Sequence, residues 1–109
     1  MQPLKSIMRK YRVEYDIEAE ADIAALVAWV SEKTSIDYSR KYINRVFDEI
    51  EVLSYLAPIL PESKFKQPKR YHPEAKTYVV GNKKLTVIFH IEEDYVIVDK
   101  ILPSVLITR

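Results

Sequence analysis

The last third of the chain, residues 76–102, consists of alternating blocks of apolar and polar residues. Three apolar runs are separated by two short polar breaks, in the order 78–80, 81–84, 85–91, 92–94 and 95–102. The runs are rich in β-branched and aromatic residues, which favour strands. Gly81, the only glycine of the chain, stands in the first break beside Asn82. Both residues tolerate the positive φ of a tight hairpin, so the pattern predicts an antiparallel meander of three strands.

Alternation within the middle run assigns its side chains to the two faces of the predicted sheet. Four apolar side chains share the face that we expect to lie under helices: Leu85, Val87, Phe89 and Ile91. Thr86, Ile88 and His90 point to the opposite face, which we expect to be partly open. His90 is therefore a candidate general acid–base, whereas the ordinary role of a single strand histidine is structural.

An alternating segment and a helical pattern precede the meander. Residues 11–15 alternate apolar and charged side chains, as a half-buried strand does. Residues 16–33 are predicted to be helical, with Asp16 as the N-cap and Trp29 in the core or at the edge of the apolar stripe. That stripe has helical spacing and consists of Ile23, Leu26, Val27 and Val30.

A second helix is predicted from the capping-box pattern at residues 34–37 to about Leu56. Its apolar face consists of Ile36, Ile43, Val46, Phe47, Ile50 and Leu53. Because almost no linker separates the two helices, we expect an antiparallel helix hairpin. The sequence thus predicts an α+β fold of order β-α-α-β-β-β, with the hairpin packed on a mostly antiparallel sheet. Its length predicts one domain, 1–109, in which 1–10 form a loose N-terminal lead-in.

Four prolines and a run of basic and aromatic residues characterise the connection 57–74, between the second helix and the meander. The candidate residues for binding a target or partner are Lys64, Lys66, Lys69, Arg70 and Tyr71. Alternating cations and aromatic rings can hold phosphates and stack on bases. The same composition also fits a solvated loop that Phe65 and Tyr71 attach to the core, and both alternatives stay open.

The net charge of +1 conceals two parts of opposite sign. Residues 14–56 carry ten acidic and four basic side chains, a balance of −6. The remainder carries 13 basic and six acidic side chains, a balance of +7. This segregation indicates a basic surface for a polyanion or an acidic partner, or alternatively two solvated faces of opposite sign.

Composition excludes several kinds of chemistry. Without cysteine the chain has no disulfide, thiol nucleophile or cysteine metal site, which is compatible with a reducing cytoplasm. No apolar run has the length of a signal peptide or a membrane span, so we expect a cytoplasmic protein without membrane contact. The two histidines lie far apart and one glycine cannot build a phosphate loop, so no metal or cofactor is expected. A metal-free set of Lys, Arg, Tyr or His can still activate a ribose 2′-hydroxyl and stabilise a phosphorane.

Several distributed patterns carry a family resemblance over residues 11–107. They are YRVEY at 11–15, AEADI at 19–23, Tyr42 with Ile43, Ile50, YVV at 78–80, LTVIFHI at 85–91 and VIVDKI at 96–101. With these patterns and the order of its elements, the chain resembles the RelE/ParE superfamily of toxins from type II toxin–antitoxin, plasmid-stabilisation-like systems. The resemblance implies a small cytoplasmic toxin that a cognate antitoxin holds inactive. In this superfamily RelE-like members cleave mRNA on the ribosome without metal, and ParE-like members block DNA gyrase.

The RelE-like catalytic pattern is matched only in part. Thr86 stands where that subgroup has an arginine in its third strand, and the C-terminal tail contains neither tyrosine nor histidine. Lys64, Lys66 and Arg70 resemble the RNA-contacting positions of the subgroup. The catalytic residues stay unknown, with Arg70 and His90 as candidates.

The resemblance therefore favours a ParE-like toxin that binds a macromolecular target such as DNA gyrase. One alternative is a RelE-like endoribonuclease that acts on ribosome-bound mRNA. The other is a degenerate member that binds an antitoxin without being toxic.

Overall fold

The computed structural model describes residues 10–107, in which helices pack on one side of a four-stranded sheet. The elements in chain order are β1 (Arg12–Tyr15), α1 (Ile17–Lys33), α2 (Ile36–Glu51), α3 (Leu53–Leu56), a 3₁₀ turn (Ala57–Ile59), α4 (Lys66–Lys69), β2 (Lys76–Val80), β3 (Leu85–Glu92), β4 (Tyr95–Pro103) and a 3₁₀ turn (Ser104–Leu106). The predicted α+β class is thereby confirmed. The predicted lead-in lies outside the described residues except for Lys10. Within the described range, every helix is too short or too polar to cross a membrane.

The strands lie in the order β1-β4-β3-β2, with β1 parallel to β4 and the other pairs antiparallel. The predicted three-stranded meander is therefore confirmed, and the first strand is added beside the last. β1 is short because the chain turns into α1 after the Asp16 N–H donates to the Val98 carbonyl. Asp22 of α1 then accepts hydrogen bonds from the Ile101 N–H and from Lys100 Nζ, both at 2.9 Å. Its carboxylate thus covers part of the β4 edge that β1 leaves free.

Both predicted hairpin turns contain residues of positive φ. Gly81, Asn82 and Lys83 have φ angles of 62°, 59° and 70° in the first turn, and Glu93 has 53° in the second. The expected role of Gly81 in the turn is confirmed. Lys83 adopts the same left-handed conformation without the freedom of glycine, which the sequence did not indicate.

Gly81 also lies close against α2. A Cβ at this position would lie 2.9 Å from Tyr42 Oη and 3.2 Å from Leu85 Cδ1. The Gly81 N–H donates to Glu49 Oε1 at 2.8 Å. The glycine therefore serves both the turn and the close packing of the hairpin on α2.

α1 buries a different stripe from the predicted one. Its buried or half-buried apolar side chains are Ala19, Ile23, Leu26 and Val30. At about 100° per residue, Val27 and Trp29 lie about 70° and about 90° around the helix from the centre of this stripe. Val27 is exposed, and Trp29 is 60% exposed, so the predictions for these two side chains are wrong. Asp16 occupies the N-cap position as predicted, without a side-chain hydrogen bond to the helix.

α2 begins after Ser35, whose Oγ accepts a hydrogen bond from the Tyr38 N–H at 3.1 Å. Its buried face consists of Ser39, Ile43, Val46 and Ile50. Ile36 was predicted to belong to this face, but it is 66% exposed because the first turn of α2 lies at the exposed tip of the hairpin. The prediction of one continuous helix to Leu56 is also wrong, because the helix is interrupted at Val52 and continues as α3.

Side chains on β3 alternate as predicted, but the outer face of the sheet, opposite to the helices, is covered. Ile88 is fully buried, and Thr86 and His90 are each 4% exposed. Thr86 Oγ1 lies 2.9 Å from Ser104 Oγ, which brings the C-terminal 3₁₀ turn onto this face. The ring of His72 lies flat on that of His90. The prediction of a partly open face is therefore wrong for these residues, because the loop that contains His72 and the C-terminal 3₁₀ turn fold back over it.

The connection before β2 contains helical pieces despite its prolines. Pro58 and Pro68 stand within short helical turns, where a missing N–H removes no helical hydrogen bond. The Ser63 N–H donates to the Ala75 carbonyl at 2.8 Å. This bond closes the base of the connection, so residues 64–74 form one loop that includes α4.

A β-bulge separates two registers between β3 and β4. Ile88 pairs with Lys100, whereas Phe89 pairs with Val98. Asp99 is therefore the extra residue, opposite no single partner on β3. Asp99 also lies two residues after Ile97, the β4 partner of His90, so its carboxylate lies on the outer face beside His90.

Candidate functional site

The basic segment, residues 64–71, contains all five predicted binding residues. The four cations are exposed and Tyr71 is half-buried. Within the described part of the chain, none of the cations forms an ion pair. Lys66 and Lys69 lie three residues apart on α4, which places them on neighbouring positions of one turn. Arg70 is the C-cap of the same turn. The structure therefore brings these charges together on a short, exposed element.

An open cavity of about 560 Å³ adjoins the basic segment near the start of β2. Residues 61–65 and Thr77 form its walls. The Phe65 N–H donates to Ser63 Oγ at 3.1 Å, a local turn that fixes the backbone on one side of the cavity. Lys64 is part of the wall, so a ligand in this cavity would lie against a cation.

His90 lies near the end of β3, between two carboxylates. Its Nδ1 is 2.7 Å from Asp99 Oδ2, and its Nε2 is 2.6 Å from Glu92 Oε2. Both ring nitrogens can donate to carboxylates at the same time only if the ring is an imidazolium. Burial by itself would lower the pKa of His90, but the hydrogen bonds to Glu92 and Asp99 outweigh it and raise the pKa.

The two carboxylates have different surroundings. Asp99 is buried, and this burial raises its pKa although the hydrogen bond from His90 acts in the opposite direction. Glu92 is exposed, and the hydrogen bond from His90 lowers its pKa. We assign both groups as ionised at neutral pH, because each accepts a short charge-assisted hydrogen bond from the same cation.

The histidine stack consists of His72 and His90. Their ring centroids are 4.0 Å apart and their planes differ by 4°. His72 Nδ1 accepts a hydrogen bond from the Glu74 N–H at 3.0 Å, which leaves the proton of a neutral ring on Nε2. Because His72 directly follows Tyr71, the stack joins the basic segment to β3.

The geometry limits what the two candidate catalytic residues can do. Both nitrogens of His90 are engaged by carboxylates, so neither is free to exchange a proton with a substrate. Arg70 lies two residues before His72, but among the described residues no hydrogen bond joins Arg70 to His90. Described acidic and imidazole side chains also form no group of three or more that could hold a metal ion.

Sequence reasoning missed three members of this cluster as functional residues. Glu92 lies two residues after His90 on one strand, so strand alternation alone places both on one face. That signal was available in the sequence. The stacking of His72 depends on a folded loop, and the contact of Asp99 with His90 depends on the register between β3 and β4, so no local pattern indicates either of them.

Thr86 has a structural partner. Its Oγ1 shares a hydrogen bond with Ser104 Oγ, and the side chain is almost fully buried. This is the position at which the RelE-like subgroup is expected to have an arginine. The described structure therefore has no cation at that point of the outer face.

Comparison with known proteins gives a likeness in structure only. No protein-family model and no curated protein matches the chain. Among solved structures, a chain from the "Chromosomal ParDE TA system from P. aeruginosa" matches with a TM-score of 0.73 at 12% sequence identity. The match covers 87% of this chain and 97% of that one.

The chain has the fold of this ParDE protein. The RelE/ParE-like fold implied by the sequence is thereby confirmed. At 12% identity the likeness is one of fold, so the ParDE architecture is common to the two chains while the site residues have to be judged on this chain alone.

Proposed function

We propose that this protein is the toxin of a type II toxin–antitoxin pair, ParE-like in its action and held inactive by a cognate antitoxin. The observation that supports this most directly is the shared fold, with a TM-score of 0.73 over 97% of the P. aeruginosa ParDE chain. The toxin acts by binding a macromolecular target, of which DNA gyrase is the first candidate. Such an action needs a docking surface and no catalytic centre.

Two features of the outer face favour binding over RNA cleavage. Buried Thr86 supplies no positive charge to a phosphorane, and loss of one preorganised donor costs on the order of 10²–10³ in rate. His90 has no free ring nitrogen for proton transfer. The exposed cations of the basic segment keep the capacity to bind a polyanion or an acidic protein surface.

A gyrase supercoiling assay tests the proposal. We expect the purified protein to inhibit supercoiling or to cause cleaved gyrase–DNA complexes to accumulate. The variant Lys66→Glu should weaken the effect about tenfold, because a repulsive charge in an interface costs on the order of 1 kcal/mol or more. Lys41→Glu, at an exposed position of α2, is the matched control and should retain the wild-type effect. Unchanged supercoiling at a large excess of protein would exclude gyrase as the target.

A RelE-like ribonuclease is the second candidate. It is favoured by the exposed Arg70, which lies two residues from an imidazole whose Nε2 is free to carry a proton. Primer extension on translating ribosomes separates the two candidates, and we expect no cuts. Codon-positioned cuts that disappear in Arg70→Ala would establish the enzyme instead.

A third outcome would be silence in both assays. If expression of the protein also left growth unaffected, the chain would be a degenerate member that binds an antitoxin without toxicity. Co-purification with the protein encoded by an adjacent reading frame would then still identify the antitoxin.

A further inference from the structure

β2 is an edge strand of the sheet. It pairs with β3 on one side, and no strand in the described part of the chain pairs with its other side. Such an edge presents backbone N–H and C=O groups to which a further extended chain can bind. The first three residues of β2 are half-buried and the fourth, Val79, is exposed. The free side of β2 is therefore accessible to a partner.

Two hydrogen bonds at the ends of β2 indicate which backbone groups point to the free side. The C=O of Ala75, just before β2, accepts from the Ser63 N–H at 2.8 Å. The N–H of Gly81, just after β2, donates to Glu49 Oε1 at 2.8 Å. Neither partner belongs to β3. Because the backbone groups of alternate residues point to the same side of an antiparallel strand, those of Thr77 and Val79 also point to the free side.

The edge window, residues 77–79, lies between these two contacts. Ser63 and Glu49 each satisfy one end of the edge. Among the described residues, no hydrogen bond from outside the sheet reaches Thr77 or Val79. Each of these two residues has one N–H and one C=O on the free side, which gives four unpaired groups. Three consecutive residues of an extended chain are enough to bind them, since ladder bonds recur at every second residue.

The surroundings of the edge window favour an acidic partner with an apolar side chain. The cavity of about 560 Å³ opens at Thr77, and its wall contains Lys64 and the half-buried ring of Phe65 together with one carboxylate, Glu62. Residues 62–76 carry five basic and two acidic side chains, a balance of +3. Pairing with the β2 edge of a second copy would bring two such positive segments together, whereas an acidic segment is attracted to them.

We propose that the edge window binds an extended, acidic segment of the antitoxin as an additional strand of the sheet. An apolar side chain of that segment would enter the cavity beside Phe65, and a carboxylate would bind Lys64. Main-chain hydrogen bonds to Thr77 and Val79 would fix the register, while the basic segment would attract the partner. This inference rests on the proposed toxin–antitoxin function, and it adds where and in which conformation the antitoxin binds.

Amide hydrogen exchange, followed by NMR, tests the additional strand. The chain is measured alone and in a purified complex with the protein encoded by the adjacent reading frame. We expect the amides of Thr77 and Val79 to become protected at least roughly tenfold in the complex, because each gains a hydrogen bond. The amides of Tyr78 and Val80 point to β3 and should be protected in both samples. This alternation distinguishes a bound strand from a partner that binds side chains only.

Thr77→Pro is the matching variant, because it removes an N–H that points to the free side. Proline is tolerated at such a position of an edge strand, so the pairing of β2 with β3 should persist. We expect the affinity for the adjacent-frame protein to fall roughly tenfold, the effect of losing one hydrogen bond. Thr77→Val keeps the N–H and should bind like the wild type. If Thr77→Pro is folded by circular dichroism and binds as tightly as Thr77→Val, the inference is wrong.

The exchange measurement on the wild-type chain decides even if the proline variant fails to fold. A complex that forms without protection of Thr77 and Val79 would overturn the additional strand and leave the toxin–antitoxin function standing. Absence of any complex would overturn both. Protection of the same two amides in the protein alone would mean that the chain itself or a second copy covers the edge, which would also overturn the inference.

Discussion

Asp99 and Glu92 illustrate how two carboxylates change the chemistry of a histidine that lies between them. Asp99 lies two residues after Ile97, the β4 partner of His90, so strand alternation places its carboxylate on the same face as His90. His90 is thus held between two carboxylates at 2.6 and 2.7 Å. His90 is therefore a cation with a structural role, although the sequence suggests it as a candidate general acid–base.

The stability of the protein should fall as the pH rises through the pKa of His90. A histidine whose pKa is raised on folding contributes stability that is fully present below its ordinary value of 6.5 and is lost above its value in the folded protein. Urea unfolding over a pH series from about 6 to about 9 measures this loss. His90→Gln, which cannot titrate, should be less stable at neutral pH and lack this dependence. If the free energy of unfolding fell equally with pH in both proteins, titratable groups other than His90 would determine the pH dependence.

Gly81→Val should lower the free energy of unfolding by about 1–3 kcal/mol, since it forces a β-branched residue to positive φ. The new side chain would also meet Tyr42 Oη. Lys84→Val introduces the same side chain in the same turn at an exposed position and should change stability by less than about 0.5 kcal/mol. Chemical denaturation of the two variants gives the comparison. A similarly small loss of stability in both variants would mean that the turn changes its backbone conformation to accommodate valine at position 81.

At the scale of elements, helical periodicity predicts that α1 has an apolar stripe but not where its centre lies. The buried stripe is the side of the helix that contacts neighbouring elements. α1 contacts β4 and α2 through the side that contains Ala19 and Val30. Trp29 and Val27 then turn toward solvent. A pattern along one helix contains no information on the angle at which its neighbour approaches.

Substitutions in α1 should follow the observed stripe. Val30→Ala removes buried methyl groups and should cost about 1–3 kcal/mol. Trp29→Ala removes a much larger side chain that is mostly exposed, and should cost less than about 1 kcal/mol. Because Trp29 is the only tryptophan, unfolding is followed by circular dichroism. A larger loss of stability in Trp29→Ala than in Val30→Ala would instead support the prediction that Trp29 lies in the core or at the edge of the apolar stripe.

At the scale of the whole molecule, most of the fold could be predicted from local patterns and part of the site could not. The meander, its first turn and the helix hairpin follow from spacing and from Gly81. The covered outer face depends on where the loop with His72 and the C-terminal 3₁₀ turn fold back, which is decided by distant contacts such as that of Thr86 with Ser104. The five binding candidates lie on one segment, where the four cations are exposed and Tyr71 is half-buried.

Charge segregation should be visible in the kinetics of antitoxin binding. If an acidic or amphipathic antitoxin segment covers residues 64–71, salt should slow association more than it speeds dissociation, because long-range attraction acts on encounter. Surface plasmon resonance between about 0.05 and about 0.3 M salt measures both rates. Lys69→Ser should reduce the salt dependence of association, while Lys41→Ser on α2 should not. Equal effects of the two changes would contradict a specific role for the basic segment.

The parallel pairing of β1 with β4 has a consequence for the order in which the chain folds during synthesis. β1 and both long helices leave the ribosome first, but the strand that β1 pairs with comes last. Local helix formation is fast, whereas pairing across such a sequence separation has to wait for the distant strand. The nascent chain therefore presents an apolar helix stripe without its sheet until residues 95–103 emerge, and completion of the native state follows translation of the final strand.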